Sequence, residues 1–135
     1  QFLAYNALPE NIKYKIENLK GIFSSQGKIA QTRVLREAEH GTNNTKEIKS
    51  KHKLVQSING RKTIYCSPGH IVGFANENLD QKELIDFLTS HQTKKDFSFS
   101  FSWRKGDIAI WANKSILHAA TAFNGDRKMF RITIQ

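Results

Sequence analysis

A mainly antiparallel β fold with flanking helices, closed as a sandwich or jelly-roll, is predicted by three features of this 135-residue chain. Two β-rich runs, His52 to Ile58 and Arg61 to Cys66, flank Asn59-Gly60, the strongest short-range hairpin signal. Phe97, Phe99, Phe101 and Trp103 alternate with Ser98, Ser100 and Ser102, the period of a half-buried strand. Further turn pairs then separate short apolar runs, so that hairpins follow one another. An aromatic face as long as Phe97 to Trp103 needs a second sheet to cover it.

The elements follow in order. Pro9-Glu10 opens a helix in which Ile12, Ile16 and Leu19 recur at helical spacing, with Gly21 as its expected stop. Residues 24–51 are polar and Lys-rich apart from Arg33-Val34-Leu35-Arg36, and Glu39 to Asn44 has turn composition. That segment reads as a loop or lid excursion. After the hairpin, Pro68-Gly69 turns the chain again. Asp80 with Glu83 makes a capping box, and Leu84, Ile85 and Leu88 give the following helix its buried face to about His91. Strands are then expected over Phe97 to Trp103, Ile108 to Trp111, Ile116 to His118 and Met129 to Ile134. Lys105-Gly106-Asp107, Asn113-Lys114 and Asn124-Gly125 turn between them.

Composition sets the bounds. The length allows one modest core and a single domain. Hydrophobic content of 39% and charged content of 24% belong to a soluble globular protein. No apolar run approaches the roughly 20 residues of a membrane span. The opening Gln1 to Tyr5 lacks the basic and apolar regions of a signal peptide. A lone Cys66 excludes an internal disulfide and any multi-cysteine zinc site, and fits a reducing cytoplasm. The net charge of +9 reads first as a solvated basic surface, and secondly as attraction for an anionic substrate.

The chemistry gathers in the last third. Arg127 and Arg131 stand four residues apart, so on an extended segment they project to one face of a sheet. His118 falls on the neighbouring expected strand, and all three can point into one cavity. Two inward guanidinium groups are costly unless an anion meets them, and a guanidinium fork suits a carboxylate. Singly, each residue has a plainer reading: a structural histidine and two surface cations.

The sequence Trp-x-x-Gly-Asp-Ile-Ala-Ile-Trp-x-Asn-Lys-x-x-x-His from Trp103 to His118, followed by Arg127-x-x-x-Arg131, resembles the closing segment of the taurine dioxygenase / dichlorophenoxyacetate dioxygenase family of Fe(II)/2-oxoglutarate enzymes. Lys53-Leu54-Val55, Asn59-Gly60-Arg61-Lys62 and Ser67-Pro68-Gly69-His70 are similar to that family's mid-region hairpin. The resemblance implies a double-stranded β-helix, or jelly-roll, with residues 1–135 as its C-terminal portion. It implies His118 as the distal histidine of a two-His-one-carboxylate site for Fe(II). Arg127 is then the partner of the far carboxylate of 2-oxoglutarate. Arg131 lies near the cosubstrate's other end and an anionic substrate group. Trp111 is implied as pocket wall. The implied reaction uses O₂ to decarboxylate 2-oxoglutarate to succinate and CO₂ while hydroxylating a small, anionic organic substrate.

The chain departs from the family pattern at Ala112 and Lys114, where an acidic residue and an arginine are usual, and in the nine-position spacing from His118 to Arg127. No proximal His-x-Asp or His-x-Glu occurs: His40, His52, His70 and His91 are followed two positions on by Thr42, Leu54, Val72 and Thr93. In the family that motif precedes the part resembling Gln1 to Leu8, so residues 1–135 alone are expected not to turn over. Two alternatives stand beside this reading. A non-catalytic β-sandwich module would bind an anionic ligand through Arg127 and Arg131. A basic nucleic-acid-binding domain would use the Phe97 to Trp103 face for stacking, but serines, not cations, fill its alternate positions.

Overall fold

A computed structural model describes residues 1–28, 46–75, 80–122, 124–126 and 128–134. Among them, two short antiparallel sheets are flanked by three α-helices: α1 (Phe2–Asn6), α2 (Glu10–Ile16) and α3 (Gln81–Gln92). The first sheet has strand order β2-β1-β5, from β1 (Lys20–Ser24), β2 (Lys49–Lys53) and β5 (Ile71–Phe74). The second is the hairpin of β3 (Val55–Ile58) and β4 (Arg61–Ile64).

The hairpin forms where Asn59-Gly60 predicts it. Both residues have positive φ, 51° and 76°, the left-handed pair that a type I′ turn demands and that matches strand twist. The register follows directly, with Ile58 opposite Arg61 and Val55 opposite Ile64. The run preceding the turn does not stay in one sheet, however. It divides at Leu54, whose N–H donates to the Leu19 carbonyl at 2.9 Å and whose own carbonyl accepts from Tyr65 at 2.6 Å. Residues up to Lys53 therefore pair with β1, and those from Val55 pair with β4.

Two expectations about the first fifty residues change. Helix α2 ends at Ile16, and Gly21 lies within β1, opposite His52 on one side and Phe74 on the other. A Cβ at Gly21 would stand 2.9 Å from the Phe23 ring and 3.0 Å from Leu54 Cδ2. The glycine serves close packing inside a strand rather than a helix stop. Ser24 and Lys49 to Lys51, the ends of the predicted 24–51 excursion, are strand residues, and its middle, 29–45, lies outside the described residues.

Helix α3 is the predicted capped helix. Asp80 Oδ1 accepts from the Glu83 N–H at 3.0 Å, and Leu84 and Leu88 are buried. Its start is tied to β5 by Gln81 Oε1, which accepts from the Phe74 N–H at 3.1 Å. Its end is tied to α1, because His91 Nε2 bonds the Ala4 carbonyl at 2.8 Å, and Gln92 Nε2 donates to the Cys66 carbonyl. His91 is therefore a satisfied core histidine. The core comprises Ala4, Tyr5, Leu8, Ile16, Leu19, Phe23, Leu54, Val55, Ile64, Cys66, Ile71, Phe74, Leu84 and Leu88. All of it precedes residue 92.

Beyond α3 the strand expectations are corrected. Phe97 closes a short 3₁₀ turn over Lys95–Phe97, and no strand occurs among the described residues from Ser98 to Ile134. Phe99 is 86% exposed, Ile110 94% and Ile132 88%. Alternation fixes which side chains share a face, but a strand also needs a neighbour to take its backbone hydrogen bonds. No such ladder is present for these runs among the described residues. Their turns do form. Gly106 and Gly125 both adopt φ of +94°. Asp107 closes the first turn twice, its N–H donating to the Arg104 carbonyl at 3.1 Å and its Oδ2 accepting from the Arg104 N–H at 2.7 Å.

Candidate functional site

Within the predicted site, local contacts run through the segment from Trp111 to His118. The Ser115 N–H donates to the Ala112 carbonyl at 3.0 Å, and its Oγ donates to the same oxygen at 3.2 Å. Ser115 is buried. This closed turn brings the chain back so that the rings of Trp111 and His118 lie 5.0 Å apart, tilted by 58°. The Trp111 indole N–H donates to Asn113 Oδ1 at 2.9 Å. His118 itself is exposed, with its ring resting on a half-buried indole and no hydrogen bond to it among the described residues.

Arg131 is also exposed, and Arg127 lies outside the described residues. The convergence of His118 with both arginines is therefore not displayed by the geometry. The donor chemistry of His118 suits a metal, since an accessible imidazole nitrogen is a good ligand for a divalent transition ion. Yet among the described residues no group of three His, Cys, Asp or Glu side chains is placed to hold one. His118 fits as one corner of such a site, and no other corner is identified among those residues.

A concavity among the described residues lies elsewhere. A cleft of about 460 Å³ is lined by Glu17, Asn18, Lys53, Val55, Gln56, Ser57 and Lys62, and none of the predicted site residues borders it. Its carboxylate is already matched: Lys62 Nζ donates to Glu17 Oε1 at 2.6 Å and the Tyr5 hydroxyl donates to Glu17 Oε2 at 3.2 Å. The Lys62 hydrogen bond holds the Glu17 carboxyl below its ordinary range. Glu17 ties α2 to the hairpin, and the cleft is the seam between them. Apart from the predicted site residues stands a three-ring group, Phe23, His52 and Tyr65, with centroids 5.3 to 5.7 Å apart. Nothing in the spacing of these residues announces it, because it is assembled from β1, β2 and the end of the hairpin.

The sequence matches the Taurine catabolism dioxygenase TauD, TfdA family over residues 1–133, and the chain belongs to that family. Among curated relatives it is 32% identical over 76 residues to pentalenolactone F synthase of Streptomyces arenae, covering 53% of this chain and 25% of that protein. It is 28% identical over 144 residues to an alkylsulfatase of Acinetobacter baylyi, covering 97% of this chain and 44% of that protein. The chain thus spans less than half the length of either relative.

Solved structures agree on the fold. AAD-2 in complex with Mn(II) and N-oxalylglycine superposes with a TM-score of 0.57 at 20% identity, over 76% of this chain and 41% of that one. A provisionally assigned alpha-ketoglutarate dependent 2,4-D dioxygenase from Burkholderia xenovorans gives 0.56 at 21% identity, over 76% and 40%. Among the described residues no helix is long and apolar enough to cross a membrane.

Proposed function

We propose that the protein to which these residues belong is an Fe(II)- and 2-oxoglutarate-dependent oxygenase that hydroxylates a small, anionic organic substrate in the cytoplasm. The observation that carries this reading is family membership over residues 1–133 together with the Trp111 to His118 turn. In it, His118 is a ligand to the iron, Arg127 pairs with the far carboxylate of 2-oxoglutarate, and Arg131 meets the cosubstrate's other end and an anionic substrate group. The neighbour that holds Mn(II) and N-oxalylglycine supports a divalent metal beside a small dicarboxylate-like ligand. The alkylsulfatase relative supports an anionic substrate, since an alkyl sulfate carries a negative charge.

Iron bound with 2-oxoglutarate and O₂ supplies the oxidising chemistry; the residues of this chain supply binding and orientation. An arginine fork reads a carboxylate by two parallel hydrogen bonds, which fixes the direction of the cosubstrate as well as its affinity. The excess of cations, a net charge of +9, raises the local concentration of anionic ligands at low salt. Residues 1–135 in isolation are expected to form no succinate, because their sequence contains no His-x-Asp or His-x-Glu to complete the ligand set.

The test is succinate formation by the full polypeptide supplied with Fe(II), 2-oxoglutarate and candidate alkyl sulfates or carboxylates. His118→Ala should abolish iron-dependent succinate production. Arg127→Ala should chiefly raise the KM for 2-oxoglutarate, by about 10- to 100-fold, as loss of a charged hydrogen-bonded pair does. Unchanged kinetics in both variants would remove the basis of the assignment.

A further inference from the structure

The turn that precedes His118 does more than reverse the chain. Asn113 takes the Trp111 indole N–H at 2.9 Å, which restrains that ring about its side-chain torsions. The Ala112 carbonyl, held by both the N–H and the hydroxyl of Ser115, keeps the turn closed. Against the fixed indole lies the imidazole of His118, 5.0 Å between centroids at 58°, a tilted geometry that aromatic pairs favour. His118 is exposed, so without the indole its ring would sample several rotamers in water.

We propose that Trp111, held by Asn113, is a positioning residue for His118, fixing the plane in which the imidazole presents its nitrogen to a divalent metal. This rests on the reading of His118 as a ligand. It assigns to Trp111 a role distinct from lining a substrate pocket: the indole acts on the metal site through the histidine, before any organic ligand enters. A ligand already confined to one orientation loses less freedom on coordination, and partners that orient a ligating histidine raise metal affinity. Asn113 then acts at one remove, through the indole.

The experiment is Mn(II) titration of the full polypeptide, read by electron paramagnetic resonance, without 2-oxoglutarate or substrate. Trp111→Leu should weaken Mn(II) binding by about 3- to 10-fold, the size of one aromatic pair contact. Trp111→Phe, which keeps a ring against the imidazole, should recover most of the loss, and Asn113→Ala should show a smaller one. In the metal-free protein, the ring protons of His118 should carry an upfield shift from the indole that Trp111→Leu abolishes. Mn(II) affinity unchanged by Trp111→Leu in a folded protein overturns the positioning role while leaving His118 a ligand. Should Trp111→Leu fail to fold, equal affinities in Trp111→Phe, Asn113→Ala and the unsubstituted protein, with no upfield shift of His118, overturn it as well. No Mn(II) binding by the unsubstituted protein overturns the ligand assignment and the proposal together.

Discussion

Lys62 reaches across 45 residues of sequence to place its Nζ 2.6 Å from Glu17 Oε1, joining the end of the second helix to the hairpin. The hydrogen bond from Lys62 holds the Glu17 carboxyl below its ordinary 4.5, and the same bond raises the Lys62 ammonium above its ordinary 10.5. A depressed carboxyl contributes stability that is complete above 4.5 and lost as pH falls through its lower folded value. A raised ammonium contributes stability that is complete below 10.5 and lost as pH climbs through its higher folded value. Lys62→Met should therefore lower the Tm modestly at neutral pH. The gap from the unsubstituted protein should close in acid and in high salt, because both groups are partly exposed and screened. Thermal melts from neutral pH down to strongly acidic conditions, at low and high ionic strength, would check this; a gap independent of pH would contradict it.

Leu54 is fully buried, and its backbone bonds Leu19, just before β1, and Tyr65, just after β4. Leu54→Ala should cost about 2–5 kcal/mol in unfolding free energy, the range for truncating a core leucine. The backbone bonds to Leu19 and Tyr65 do not depend on the side chain, so the loss should come from packing and leave the hairpin register intact. Urea unfolding gives the magnitude, and amide exchange at Tyr65 separates packing from loss of pairing.

Cys66 lies in the core, where burial pushes its thiol up to about 12. Thiolate is the reactive species, so at neutral pH this cysteine should be inert. Alkylation by iodoacetamide should be slower than for a free thiol by about a thousandfold, the difference between 12 and the ordinary 9.0. Guanidinium should restore ordinary reactivity. Fast alkylation of the native protein would show that the core around β4 opens readily.

The parts of the fold that were legible are those fixed within a few residues. Asn59-Gly60 specifies its own turn, Asp80 and Glu83 their own cap, and Gly106 and Gly125 their own positive φ. Strands β1 and β5 left little trace. Lys20 to Ser24 contains a glycine and shows no clean alternation, and Ile71 to Phe74 is four residues long. Their pairing is set by contacts from distant chain. The Phe97 to Trp103 alternation misled for the converse reason: a period of two identifies a face but not what covers it. The site divides in the same way. Trp111 and His118 were both picked out from the motif, and their contact is local to one turn. The meeting of His118 with Arg127 and Arg131 depends on sheet pairing, which the described residues past α3 do not show.

The handover at Leu54 makes the chain intolerant of a change in length there. Adding or removing one residue next to it would turn every side chain of β2 over, carrying the His52 ring away from Phe23 and Tyr65 and setting a lysine against them. A natural variant with an insertion at this point would need a compensating bulge in β1, whereas the exposed tip five residues on, at Asn59-Gly60, can lengthen without disturbing either sheet.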